Sequence, residues 1–215
     1  MSMDGKATVN IGPFSRGGRT RGDHKASDHD LGCQEQYIPW GIVEEERAQL
    51  SVTFGSSFKT SDFIVDTWTA WGQGLSATEQ GTSERVQIKM DNGAESSGVR
   101  TQFLHRLVQF VDTSGKPVHL LYYPPYPSKY NPIERWWGMM ALHWNGAQLI
   151  DVETMLEWAK RMMWKGVHPV VKLSRKVYAK GVSLRKAMMR AVEARLERNP
   201  LLPKWDIMIH PTGAS

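Results

Sequence analysis

The sequence predicts an α/β fold of the mixed α+β kind, a central mixed sheet flanked by helices, and three observations carry that reading. β-rich or alternating runs at residues 49–54, 86–90 and 118–123 stand apart from segments whose apolar residues recur every three or four positions, the mark of amphipathic helices. The order is strands, helix, strand, helix, strand, helices, which places helices against a sheet. With 215 residues, 40% hydrophobic and 23% charged, the chain is long enough to bury a full core.

Each element has a local cause. Residues 6–11 read as an extended piece, and residues 13–39, rich in Gly, Arg, Asp and His with no apolar period, read as a long loop. Residues 41–43 and 49–54 suit a hairpin around the polar Glu44, Glu45, Glu46 and Arg47. Ile64, Trp68 and Trp71 recur at intervals of four and three, giving a helix capped by Thr60 or Ser61 and ending near Gly72. Val86, Ile88 and Met90 alternate in a strand that runs into Asp91-Asn92-Gly93, so Asp91 sits in a turn at a sheet rim. Phe103, Leu107, Phe110 and Val111 mark the next helix, and residues 118–123 a strand stopped by Pro124-Pro125.

Three helical stretches complete the chain. Asn131-Pro132-Ile133-Glu134 opens the first, with Asn as cap and Pro in the first helical position. A second runs from Asp151, with Val152, Met155, Leu156, Ala159, Met162 and Met163 on one face, and a third from Ser183, with Leu184, Ala187, Met188, Ala191, Val192 and Leu196. The expected organisation is a core over residues 1–145, including the loop 13–39, and a basic helical extension over residues 146–215 packed on it.

Composition narrows the function classes. No run approaches the roughly 18 apolar residues of a membrane helix, and the first residues lack the apolar stretch of a secretion signal, so no membrane partner and a cytoplasmic location are expected. Cys33 is the sole cysteine, which excludes an intrachain disulfide and a cysteine-rich zinc site. Net charge is +5, yet between Lys160 and Arg198 twelve Lys and Arg face only Glu193 and Glu197, so the rest of the chain is net negative. Concentrated cations suit a polyanionic partner; standing alone, they also suit solvated helix faces.

The most informative stretch runs Tyr123-Pro124-Pro125-Tyr126-Pro127-Ser128-Lys129-Tyr130-Asn131-Pro132-Ile133-Glu134-Arg135-Trp136-Trp137. It resembles the signature around the last catalytic carboxylate of insertion-sequence and mariner-type DDE transposases, in which a strand ends in Pro-Pro-Tyr and Asn-Pro-Ile-Glu opens a helix. Met90-Asp91-Asn92-Gly93 resembles the strand end of the second carboxylate, and Asp4 resembles the Asp of the first strand. Ser15-Arg16-Gly17-Gly18-Arg19-Thr20-Arg21-Gly22, Ser27-Asp28-His29-Asp30 and Trp164-Lys165-Gly166-Val167-His168-Pro169-Val170-Val171-Lys172 are similar to the ISAzo group of bacterial insertion sequences. The resemblance thus extends from Asp4 to about Pro211.

This resemblance implies a ribonuclease H-like fold whose sheet gathers Asp4, Asp91 and Glu134 as catalytic residues and metal ligands. The chemistry suits that implication, because hard Mg²⁺ or Mn²⁺ ions prefer carboxylate oxygens and three clustered acids repel one another unless cations sit among them. Two ions would activate the attacking oxygen and stabilise the leaving oxygen of an in-line phosphodiester displacement. Water attacks first; the freed DNA 3′-hydroxyl then attacks target DNA. Asp4 and Asp91 would be shared ligands, with Glu134 holding one ion. The family further implies a homo-oligomer on DNA and an N-terminal helix-turn-helix region, so the chain is expected to be a truncated copy.

Other readings of the same residues stand beside these. Asn131 with Glu134 three residues on is a capping-box-like start, Asp91 suits a turn before Gly, and Asp4 suits a solvated terminus. Asp23, His24, Asp28, His29 and Asp30 are expected in a polar loop without a ligand, and His105, His119, His143 and His168 in packing or surface roles. Trp136, Trp137, Trp144, Trp158 and Trp164 read as core ahead of stacking on bases. For phosphate contact the candidates are Lys172, Arg175, Lys176, Lys180, Arg185, Lys186 and Arg190, because clustered cations release DNA counterions, with Arg16, Arg19, Arg21 and Lys25 as additions. Two rival functions share these features: a nuclease of the same fold without strand transfer, and a non-catalytic DNA-binding remnant.

Overall fold

Every second residue of Val86-Gln87-Ile88-Lys89-Met90 is apolar, and the strand this pattern favours is β5 (Val86–Met90), with Ile88 and Met90 buried. β5 lies in a computed structural model that describes residues 1–19, 26, 33, 35–124 and 130–213. Contacts divide the chain into two units.

The first unit comprises Met1–Met3, Phe58–Asn131 and Tyr178–Ser215. Its sheet has β5 in the middle of parallel neighbours. On one side run Ser2 and Met3 of β1 (Ser2–Gly5), paired with Lys89 and Met90. On the other runs β6 (Val118–Tyr122), register Val86 to Val118 through Met90 to Tyr122. Antiparallel β9 (Asp206–Ile209) and β8 (Leu196–Arg198) extend the sheet beyond β6. Helix α1 (Ser61–Gln73) starts where the Thr60 hydroxyl accepts from the Phe63 N–H, an N-cap that satisfies an otherwise orphan donor. α2 (Ala77–Thr82) follows with a capping box of Ser76 and Glu79. α3 (Thr101–Ser114) buries Phe103, Leu104, Leu107 and Val111 and ends at Gly115, whose φ of 67° is the left-handed conformation glycine adopts without a Cβ penalty. α3 packs against α1, against β9 and against α6 (Lys186–Glu193). Trp68 stacks on Phe110 at 4.0 Å between ring centres, and Tyr122, nearly buried, donates its hydroxyl to the Ser96 carbonyl.

The second unit comprises Asp4–Ser57 and Pro132–Val177. β2 (Val9–Ile11) and β4 (Gln49–Gly55) flank β3 (Glu35–Glu44), both antiparallel, and β7 (Val170–Ser174) joins β4 in parallel. The hairpin expected around Glu44 to Arg47 is the β3–β4 pair, with Glu44 opposite Gln49. Helices α4 (Pro132–Trp144) and α5 (Val152–Arg161) cover the sheet. Tyr37, Leu50, Val52 and Phe54 from the strands meet Ile133, Trp136, Trp137, Met140, Trp144, Val152 and Met155 from the helices in one apolar core. Tryptophans 136, 137 and 144 are therefore core residues, and Trp158 and Trp164 pack against them partly buried. Gly41 makes the approach of α4 possible: a Cβ there would stand 2.6 Å from Ile133 Cδ1 and 2.8 Å from Trp137.

Four expectations change, the first being that Glu35 to Pro39, expected at the end of the long loop 13–39, belong to β3, where they pair with β2 and β4. The last helix starts at Lys186 instead of Ser183 and stops before Leu196, which enters β8. Residues 146–215, expected to be helical, also contain β7, β8 and β9. The extended piece at residues 6–11 resolves into β2, covering only Val9–Ile11, while a separate strand, β1, precedes it. Short strands of three to five residues whose partners lie far away in sequence carry little periodic signal of their own. Among the described residues no helix is long and apolar enough to cross a membrane.

Candidate metal centre

Asp91 is the first residue beyond β5, and its position is fixed from both sides. The last rungs of the ladder place Met90 beside Met3 and Tyr122. Past the rim, the Gly93 N–H donates to the Asp91 carbonyl at 2.8 Å and Asn92 Oδ1 accepts from the Gly98 N–H at 3.3 Å, closing the turn. The carboxyl group is half-buried and receives one hydrogen bond from Asn131 Nδ2, at 3.3 Å to Oδ1. Burial raises its pKa above the usual aspartate value, and the Asn131 hydrogen bond works in the opposite direction.

Asp4 follows Met3 within β1, as Asp91 follows Met90 just past the end of β5. Glu134 comes from the first turn of α4, two residues after Pro132 and about one helical turn from Asn131. Lys6, half-buried, donates from Nζ to the Trp137 carbonyl at 3.3 Å. Burial lowers its pKa, while the negative charge of Glu134 raises it. The ligand oxygens of Asp4, Asp91 and Glu134 all lie within 4.8 Å of one another.

Three carboxylates at this separation repel one another by on the order of 3 kcal/mol per ionised pair at an effective dielectric near 20. The donor set is oxygen only, without the imidazole or thiolate that favours zinc, and so fits a hard divalent cation such as Mg²⁺ or Mn²⁺.

The basic candidates are distributed over both units. In the second, Lys172, Arg175 and Lys176 are exposed on or just after β7, and Arg19 is exposed. Arg16 donates to the carbonyl of Asn10, so its guanidinium pins the neighbouring backbone. In the first, Arg185, Lys186 and Arg190 are exposed around α6, and exposed Lys180 places its ammonium 3.7 Å from the centre of the Phe58 ring. Arg21, Lys25, Asp23, His24, Asp28, His29 and Asp30 lie outside the described residues. His119 bonds Asp206 at 2.8 Å, His168 bonds the Met162 carbonyl and His143 packs edge-on to Trp158.

Sequence reasoning did not single out Lys6, Ser2 or Gly41, and read Asn131 only as a helix cap. Lys6 had a signal: it stands two residues from Asp4, and residues at that interval share one face of an extended chain. Ser2 and Gly41 had none, because what each one touches is remote in sequence.

No curated protein and no solved structure matches this chain. The family model described as the Rhodopirellula transposase DDE domain matches residues 1–211. The mixed α/β architecture, with six helices among the described residues, is consistent with the ribonuclease H-like fold expected of such a domain. With nearly its whole length matched, the chain belongs to the family of transposase DDE domains.

Proposed function

We propose that this domain cleaves phosphodiester bonds at the ends of an insertion sequence and joins the freed 3′ ends to target DNA. The observation that carries the reading is the acidic group Asp4, Asp91 and Glu134, with ligand oxygens within 4.8 Å, in a chain of the transposase DDE family. Asp4, Asp91 and Glu134 are the residues that would hold Mg²⁺ or Mn²⁺. Ions bound there would activate the attacking oxygen and stabilise charge on the leaving oxygen. Asp4 lies on β1, Asp91 just past β5 and Glu134 on a helix anchored by a large apolar core, and regular elements of this kind suit the positioning that displacement at phosphorus requires. Exposed Arg19, Lys172, Arg175, Lys176, Lys180, Arg185 and Lys186 supply the cationic surface for DNA phosphates. Assembly of copies on DNA belongs to the same reading.

The test is incubation of the purified protein with a labelled oligonucleotide carrying the element's end sequence, in Mg²⁺ or Mn²⁺. Joined products that vanish in Asp91→Ala are expected. Cleavage without joining would favour a nuclease, and salt-sensitive DNA binding with no metal-dependent cleavage in the native protein would leave a DNA-binding remnant.

A further inference from the structure

Asn131 is buried, 1% exposed, although its side chain is polar. Its side-chain amide is used at both ends: Nδ2 donates to Asp91 Oδ1 at 3.3 Å, and Oδ1 accepts from the hydroxyl of Ser2, itself fully buried. The orientation is forced. An ionised carboxylate only accepts, so the amide nitrogen must face Asp91, the oxygen must then face Ser2, and the Ser2 hydroxyl must donate. Ser2 is in turn fixed by its place opposite Lys89 in the ladder, one residue before the Met3–Met90 pair. A chain of hydrogen bonds therefore runs from the strand pair, through a side chain 40 residues from Asp91 in sequence, to one particular oxygen of the carboxylate. That oxygen keeps its second lone pair, and the other takes no hydrogen bond among the described residues, so it can turn toward whatever the acidic group binds.

We propose that Asn131 is a positioning residue that orients the Asp91 carboxylate for divalent cations, with Ser2 setting the orientation of Asn131; this rests on the reading of Asp91 as a metal ligand. Partners that orient metal ligands typically change affinity by roughly 10- to 100-fold when lost. The probe is Mn²⁺ alone, titrated calorimetrically into the full chain, with metal-free melting temperature measured in parallel. Asn131→Ala is expected to weaken Mn²⁺ binding by roughly 10- to 100-fold, and Ser2→Ala by a smaller factor, since the amide remains but is free to rotate. A merely structural Asn131 would lower the metal-free melting temperature and leave the Mn²⁺ constant unchanged; that result overturns the proposal. If Asn131→Ala does not fold, Ser2→Ala decides by the same constant, and unchanged affinity again overturns it. Asp91→Asn separates the two readings. Native protein binding Mn²⁺ no better than Asp91→Asn removes the metal centre and with it the role of Asn131, whereas loss in Asp91→Asn with native affinity in Asn131→Ala removes only the latter.

Discussion

At Asp91 two demands conflict. Burial disfavours the charged form of this half-buried carboxyl group and raises its pKa, while the Asn131 hydrogen bond favours the charge. For an acid, a raised folded value means that a cost to stability develops as pH rises above the unfolded value of 3.8 and is complete above the folded one. Asp91→Asn keeps an acceptor for Asn131 and removes the charge. It is expected to raise the metal-free melting temperature at pH 7 and to lose that advantage below pH 4. Thermal melts of both proteins across pH check this; a lower melting temperature at pH 7 would show that the charge is compensated by its surroundings. Lys6 belongs to the same balance, its ammonium drawn toward Glu134 while donating to the Trp137 carbonyl.

Among the elements, α4 matters most, because it carries Glu134 and its seat depends on a missing side chain. Gly41→Ala would drive a Cβ into Ile133 and Trp137. Overpacking of this kind costs about 1–3 kcal/mol, and the shift of α4 should also weaken divalent-ion binding; denaturant midpoints and Mn²⁺ titration read the two effects. A second clamp ties α3 to the C-terminal segment: Arg195 forks onto both oxygens of Asp112, and Thr212 donates from its N–H and hydroxyl to one of them. The Arg195 hydrogen bonds lead in lowering the Asp112 pKa from 3.8 to about 2. Its folded value being depressed, the stabilisation is complete above pH 4 and fades as pH falls through about 2. For a pair this exposed the effect is small, at most about 1 kcal/mol, so Asp112→Asn should slightly lower the urea midpoint at pH 7 and flatten its fall between pH 4 and 2.

Elements with strong local causes were legible. Val86–Met90 forms the strand its alternation predicts, Thr60 caps α1, and Asp151 caps α5 by accepting from the Thr154 N–H. Asp91 at a rim and Glu134 in a first turn follow from the same local signals. What escaped rests on pairing: β7 pairs with β4 and β9 with β6, both remote in sequence, while three-residue β8 pairs with the nearby β9 and is too short to show an alternation. Asn131 is the instructive case, because its sequence context speaks of a helix start while its side chain bonds Ser2 on β1 and Asp91 just past the end of β5.

For the whole molecule, the bias of charge toward residues 160–198 was readable from composition, and the exposure of Lys172, Arg175, Lys176, Lys180, Arg185, Lys186 and Arg190 agrees with a polyanionic partner. If Lys172, Arg175 and Lys176 contact phosphates, replacing one of them by Ala should weaken DNA binding alike for all sequences and reduce the log–log salt slope by about 1; fluorescence anisotropy at several salt concentrations measures it. Tyr122 and Tyr178 are buried in the first unit and Tyr37 in the second, and for Tyr122 and Tyr37 burial shifts the phenol. Tyr122, bonded to Ser96 in the first, has its pKa pushed far up by burial, and Tyr37, bonded to Glu35 in the second, is pushed up to about 12, again chiefly by burial. In the denatured chain both would ionise near pH 10, so alkali pulls each unit toward unfolding from that point upward. Phenolate absorbance that appears with a lag behind the exposed tyrosines is therefore an optical signal of unfolding. Comparing Tyr37→Phe with Tyr122→Phe would reveal whether the two halves melt as one cooperative body or in succession, without any added dye.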